Sequence, residues 1–194
     1  MTTVVYCHGF ASGPQGPSPK TDLIRALGHD VALIATNGDY RPAGYRAAFA
    51  RLGLDPAVPL VVMGTSLGGF WARRLGQELG RPWIALNPAI QPSQSLRRYL
   101  GANTRFDTGG AFTWTAADCA AYVAEEQLAM PSDLPGLLIL AVDDEVLDYR
   151  LARDAAGAVR VVVLPRGGHQ LHNTADYGAA VGAFLTAVVD DRPK

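Results

Sequence analysis

The chain is poor in several features that would decide its class at once. Two cysteines in 194 residues, Cys7 and Cys119, cannot build a disulfide framework, and no C-x-x-C pair is present. Lys and Arg number 17 against 18 Asp and Glu, a formal net charge of −1, and basic residues nowhere form more than a pair. So weak a field recruits neither nucleic acid nor an anionic membrane surface, which excludes a basic-groove binder. No apolar run approaches the roughly 18 residues that span a bilayer. The opening Val4-Val5-Tyr6-Cys7 run is too short for the apolar core of a secretion signal. The expectation is a soluble, cytoplasmic protein with no membrane span. Hydrophobic residues at 48% and charged residues at 18% exclude a disordered tail and a fibre. A chain of this length hides about 70% of its unfolded surface without metal or disulfide staples, and residues 1–194 read as a single domain.

Short apolar runs alternate with longer stretches of helical period. The runs are Thr3 to Cys7, Val31 to Ala35, Pro59 to Met63, Pro82 to Leu86, Leu137 to Val142 and Val159 to Leu164. Most are continuous in Val, Leu and Ile, the mark of strands covered on both faces. Helices are expected over Lys20 to Leu27, Ala43 to Leu52, Leu67 to Leu79, Tyr149 to Ala156 and Ala175 to Val189. Such alternation implies right-handed βαβ units and an α/β fold with a doubly wound, mostly parallel six-stranded sheet. One stretch breaks the rhythm. Residues 89–136 form an insertion far longer than a crossover needs, rich in Arg97, Arg98, Tyr99, Arg105, Phe106, Phe112 and Trp114, with one helix expected over Ala116 to Ala129. It reads as a small cap over the carboxyl edge of the sheet, with a plain helical crossover and a long loop as the alternative.

The strongest chemical signal is Gly64-Thr65-Ser66-Leu67-Gly68, between an expected strand and an expected helix. A sharp strand-to-helix turn lifts a serine Oγ above the sheet, and the flanking glycines leave room for crowded backbone. With 21 glycines and six serines in the chain, chance supplies roughly 0.07 such matches, and requiring the strand and the helix cuts that several-fold. A glycine-rich packing turn is the alternative. A serine nucleophile needs a base, and there are four histidines. His29 precedes the second strand at the wrong edge of the sheet, and His8 leads into Gly9, where bracing a loop suits it better. His169 and His172 follow Gly167-Gly168 at the carboxyl edge; His169 is the first choice and His172 the competitor. His169-x-x-His172 with Asp176 is too loose for a convincing zinc site. Asp143, Asp144 and Asp148 follow the fifth strand. Asp148 suits a helix N-cap, Glu145 reads as solvated, and Asp143 and Asp144 stay equal candidates for the acid that orients the base. The backbone N–H of Leu67 and of Phe10, with Ala11 behind it, are the expected oxyanion donors. Tyr99, Phe112 and Trp114 could line an acyl pocket or belong to the core.

The ordered set resembles an α/β-hydrolase, and within that group the small YqiA-type esterases. The likeness runs through Tyr6-Cys7-His8-Gly9-Phe10-Ala11-Ser12, Pro14, Ser18, Lys20, Gly64-Thr65-Ser66-Leu67-Gly68-Gly69-Phe70, Asn87-Pro88-Ala89, Tyr99-Leu100-Gly101 and Asp144-Glu145-Val146-Leu147-Asp148-Tyr149. The resemblance implies the α/β-hydrolase fold, Ser66 as nucleophile and Asp144 rather than Asp143 as acid. The closing motif departs from it, because Gly168 abuts His169 where similar proteins carry one residue between. The resemblance implies a serine hydrolase independent of metal and organic cofactor, acting on a small-molecule acyl ester or thioester. An acyltransferase or thioesterase with the same residues, or an inactive binding or scaffold protein, are the rival readings.

Overall fold

Runs of Val, Leu and Ile with no polar face are satisfied only between two helical layers, and that is where these runs lie. The computed structural model describes residues 2–15, 18–55, 57–128 and 133–190. The chain opens with β1 (Thr3–Cys7), α1 (Pro19–Ala26), β2 (Asp30–Ile34), α2 (Pro42–Ala50), β3 (Leu60–Thr65), α3 (Leu67–Glu78) and β4 (Trp83–Leu86). The insertion follows as α4 (Pro92–Ser95), a 3-10 turn (Leu96–Tyr99), β5 (Gly101–Thr104), β6 (Ala111–Trp114), α5 (Ala116–Ala120) and α6 (Tyr122–Gln127). The chain then continues through β7 (Gly136–Ala141), α7 (Tyr149–Asp154), β8 (Arg160–Leu164), a 3-10 turn (Thr174–Asp176) and α8 (Gly178–Asp190).

Six strands form one sheet in the order β2-β1-β3-β4-β7-β8, every pairing parallel. Chain direction across the sheet reverses between β1 and β3, the crevice where open α/β sheets bind ligands. Alternate side chains face opposite layers. Val4 and Tyr6 pack with Ile24 of α1 and with Val181, Phe184 and Leu185 of α8. Val5 and Cys7 pack with Tyr45 of α2 and with Leu67, Trp71 and Leu75 of α3. Helix α3 is buried almost all round, because the insertion covers its outer side. Trp71 Nε1 donates to Tyr122 Oη at 3.1 Å, and Tyr122 Oη donates to the Tyr40 carbonyl. Arg46, Arg74, Glu78 and Glu125 form an ion-pair network that ties α2 and α3 to α6.

The strands fall within a residue or two of their expected places. The insertion does not. The helix expected over Ala116 to Ala129 is two short helices broken at Ala121, and Ala129 lies outside the described residues. The antiparallel β5–β6 hairpin was not expected; its strands are four residues each, too short for an alternating pattern to stand out. The last helix begins at Gly178 after its own 3-10 turn. No helix among the described residues is long and apolar enough to cross a membrane.

The fold also explains two glycines of the serine turn. A Cβ on Gly68 would overlap the carbonyl oxygen of Cys7, and one on Gly64 would overlap the carbonyl of Gly68. Their absence lets α3 start directly against β1. Gly68→Ala is expected to cost about 3 kcal/mol, the scale of a core overpacked against backbone, read by urea unfolding. A wild-type midpoint in the variant would show that α3 can leave β1 freely.

Candidate active site

Loops from the carboxyl ends of β1, β3, β4, β7 and β8 meet over one edge of the sheet and border a cleft of about 1080 Å³. Ser66 sits at its floor with φ 57° and ψ −122°, a conformation that side-chain-bearing residues rarely adopt. Hydrogen bonds over-determine it. Ser66 N–H donates to the Leu86 carbonyl at 2.9 Å, and the Ser66 carbonyl accepts from Gly69, Phe70 and Ala89. Leu67 opens α3, so its N–H has no acceptor within the helix and the positive end of the helix dipole faces the same place. The β1 loop passes close by. A Cβ on Gly9 would stand 3.2 Å from the Thr65 carbonyl oxygen and 3.4 Å from Ser66 Cβ, which puts the Phe10 backbone beside the serine.

His169 lies across the cleft, 6% exposed. Its Nδ1 meets both carboxylate oxygens of Asp144, at 3.0 and 2.9 Å. Asp144 Oδ1 also accepts from the N–H groups of Val146 and Leu147, at 2.8 and 2.9 Å. Burial raises its carboxyl, but the bond to His169 and the two N–H donors outweigh that and hold it below the ordinary carboxylate range. Ser66 and His169 border the same cleft; no hydrogen bond joins Ser66 Oγ to the imidazole among the described residues, a bond that in free enzymes often tightens only when substrate arrives. Gly167 and Gly168, at φ 153° and 57°, turn the chain sharply enough to bring His169 to Asp144 despite the short loop.

The other candidates take different places. His172 is exposed on the rim of the cleft. Asp143 is exposed, and its Oδ1 accepts from Gly168 N–H at 2.8 Å. Asp148 caps α7 through Arg150 N–H at 3.0 Å. Glu145, expected to be merely solvated, accepts from His169 N–H at 2.9 Å through Oε2. Three successive acidic residues therefore grip three points of the histidine loop. Of the three aromatics considered for an acyl pocket, only Tyr99 borders the cleft. Phe112 and Trp114 pack against Phe10 and belong to the core instead, with Trp114 Nε1 donating to Cys119 Sγ. Burying an indole against Phe10 stabilises the β1 loop more than an open pocket wall would.

Asn87 is the residue that sequence reading passed over. Its Nδ2 donates to the carbonyls of Gly168 and His169 at 2.9 and 3.1 Å, while Oδ1 accepts from Ala141 N–H at 2.8 Å. One buried amide thus joins the ends of β4 and β7 to the histidine loop. The signal was an Asn-Pro pair at a strand exit, which marks a turn but says nothing of its distant partners. Asp107 and Arg105 in the β5–β6 turn were also missed; they form a buried pair at 2.7 Å, and Gln15 N–H bonds Asp107. Among the described residues no three His, Cys, Asp or Glu side chains converge closely enough to hold a metal ion.

Two outcomes follow from these contacts. Asn87→Ala strands a buried N–H and two carbonyls, and a loss of about 3 kcal/mol in urea unfolding is expected; an unchanged midpoint would show that the amide holds nothing. His8 is the second case. Burial pushes its imidazole down to about 4, with Asp107 pulling it up and Lys20 pushing it further down. The unfolded chain takes up this proton near pH 6.5 and the folded chain only near 4, so stability falls as pH drops across that window. Wild type is expected to lose up to about 1.4 kcal/mol per pH unit more than His8→Gln there, measured by urea unfolding at pH 7 and 5. Parallel losses in both proteins would place the acid sensitivity elsewhere.

Solved structures share this architecture. Est1E from Butyrivibrio proteoclasticus superposes with a TM-score of 0.70 at 16% identity, covering 98% of this chain and 89% of that one. Mouse alpha/beta hydrolase domain-containing protein 10 gives 0.71 at 17% identity over 97% and 89%, and the esterase domain of a Rhodothermus marinus protein gives 0.70 at 19% over 97% and 88%. The fold is that of the α/β-hydrolases. In sequence, a UPF0227 protein of Yersinia enterocolitica is 26% identical over 192 residues, 94% of this chain and 98% of that protein. A relative from Yersinia pseudotuberculosis is 24% identical over 190 residues, with coverage of 94% and 98%. The model of the uncharacterised protein family UPF0227, the YqiA family, matches residues 3–186, and the chain belongs to that family.

Proposed function

We propose that this protein is a serine hydrolase that cleaves carboxylic esters, thioesters included, through an acyl-enzyme on Ser66. The observation that carries the reading is the paired Asp144–His169 contact bordering the same cleft as a serine held at a strained strand-to-helix turn. That two proteins sharing the fold are described as an esterase or an esterase domain supports it.

In this reading His169 Nε2 takes the Ser66 proton as Oγ attacks the carbonyl carbon, and the carbonyl π electrons move onto oxygen. Asp144 keeps the proton on Nδ1 and stabilises the imidazolium that forms. The N–H groups of Leu67 and Phe10 receive the oxyanion, each worth about 3 kcal/mol in comparable sites. Collapse of the tetrahedral intermediate expels the alkoxide or thiolate, which takes the proton from His169. Water, deprotonated by the same imidazole, then releases the acid and restores Ser66. Asn87, Asp143 and Glu145 touch only the histidine loop and act as positioning residues.

A fluorophosphonate probe tests the reading directly. Wild type is expected to label and Ser66→Ala to stay unlabelled. His169→Ala and Asp144→Asn are expected to slow labelling roughly a thousandfold or more, whereas His172→Ala keeps it within a few-fold. A folded wild type that never labels would move the protein to the scaffold reading. Loss with His172→Ala and retention with His169→Ala would reassign the base.

A further inference from the structure

Lys20 is the second residue of α1 and only 6% exposed, yet it borders the cleft. Among the described residues its ammonium has no ion pair and no hydrogen bond. Burying a cation without a counter-charge is unfavourable, and burial lowers the Lys20 pKa accordingly. The carboxylates on the same cleft wall do not relieve it. Asp107 is held by Arg105 at 2.9 and 2.7 Å and by Gln15 N–H, and Glu145 accepts from His169 N–H.

A second unpartnered group stands nearby. His8 is 9% exposed and borders the cleft, and its Nε2 is buried with no hydrogen-bond partner among the described residues. Lys20 and His8 border the same cleft, and the Lys20 charge depresses the His8 imidazole. Helix α1 begins there as well. Ser18 caps Thr21 N–H, Pro19 carries no N–H, and the positive end of the helix dipole faces the cleft beside Lys20. An ammonium and a helix amino end are complementary to an oxyanion, and the imidazole joins them in the tautomer that carries its proton on Nε2.

We propose that Lys20 and His8 form an anion subsite in the cleft, so that the ester presented to Ser66 carries a carboxylate or a phosphate. The proposal rests on the hydrolase reading and narrows it to substrate class. Lys20 donates charge-assisted hydrogen bonds to the anion, and His8 Nε2–H donates a further one in that tautomer. The anion's field neutralises a charge that the free protein leaves exposed only to cleft water. Lys20 is a specificity-determining residue here, and it takes no part in proton transfer.

The test compares matched esters that differ in one terminal group. Butyrate esters of glycerol, glycerate and glycerol phosphate vary the alcohol side, and methyl valerate against monomethyl glutarate varies the acyl side. Wild type is expected to favour at least one anionic ester over its neutral partner in kcat/KM. Lys20→Met is expected to shrink that ratio roughly ten- to hundredfold, mainly through KM, with Lys20→Arg keeping most of it. The ester whose ratio responds tells carboxylate from phosphate. A ratio that Lys20→Met leaves unchanged for every pair overturns the proposal. If no ester is hydrolysed and no fluorophosphonate label forms, the hydrolase reading alone falls. Calorimetric titration of glutarate and inorganic phosphate then decides the subsite: binding to wild type that Lys20→Met abolishes supports it, and equal or absent binding in both proteins overturns it.

Discussion

The close approach of α3 to β1 is the constraint on which the rest of the cleft depends. Because Gly64 and Gly68 carry no side chain, the helix starts against the carbonyls of Cys7 and His8. The chain can then turn within one residue, and Ser66 takes the strain of that turn. The β1 loop and the serine are brought together by the same contact, since a helix that began farther out would separate them. The hydrogen bond to the Leu86 carbonyl and those from the N–H groups of Gly69, Phe70 and Ala89 make the strained conformation the one that satisfies most backbone groups.

The opposite wall is built differently. Gly167 and Gly168 turn the loop that carries His169, and two acidic side chains and one amide hold it at its peptide groups. Asp143 takes Gly168 N–H, Glu145 takes His169 N–H, and Asn87 takes the two carbonyls. Only Asp144 reaches the ring. Backbone contacts set where the imidazole sits, and the ring contact sets which nitrogen is free to face the cleft. Gly167 and Gly168 adopt positive φ, and most of the contacts grip backbone rather than side chain.

The insertion contributes a wall and a brace. Phe106 N–H bonds the Ala11 carbonyl at 2.7 Å, and Asp107 bonds Gln15 N–H, so the hairpin turn buttresses the β1 loop. Phe10 closes the arrangement by packing among Tyr40, Tyr99, Phe112 and Trp114. Aromatic residues that looked like pocket lining therefore hold the loop that borders the cleft.

Only the family resemblance set Asp144 apart from Asp143; the parallel sheet, the turn at Ser66 and the N-cap at Asp148 were legible in the chain. Each is written in near-neighbour spacing: apolar runs, glycines two residues either side of a serine, a carboxylate just before a helix. Asn87, Glu145, the β5–β6 hairpin and Lys20, which has no partner among the described residues, were not. Asn87 meets residues more than eighty positions away, and a lysine lacks a counter-charge only with respect to everything packed around it. Local spacing determines which elements form and which residue types stand at their ends, because those depend on backbone geometry over a few residues. Which side chains share a cleft, and which of them remain unsatisfied in it, was decided by tertiary packing alone, because burial and hydrogen-bond pairing belong to the assembled neighbourhood and not to any one segment.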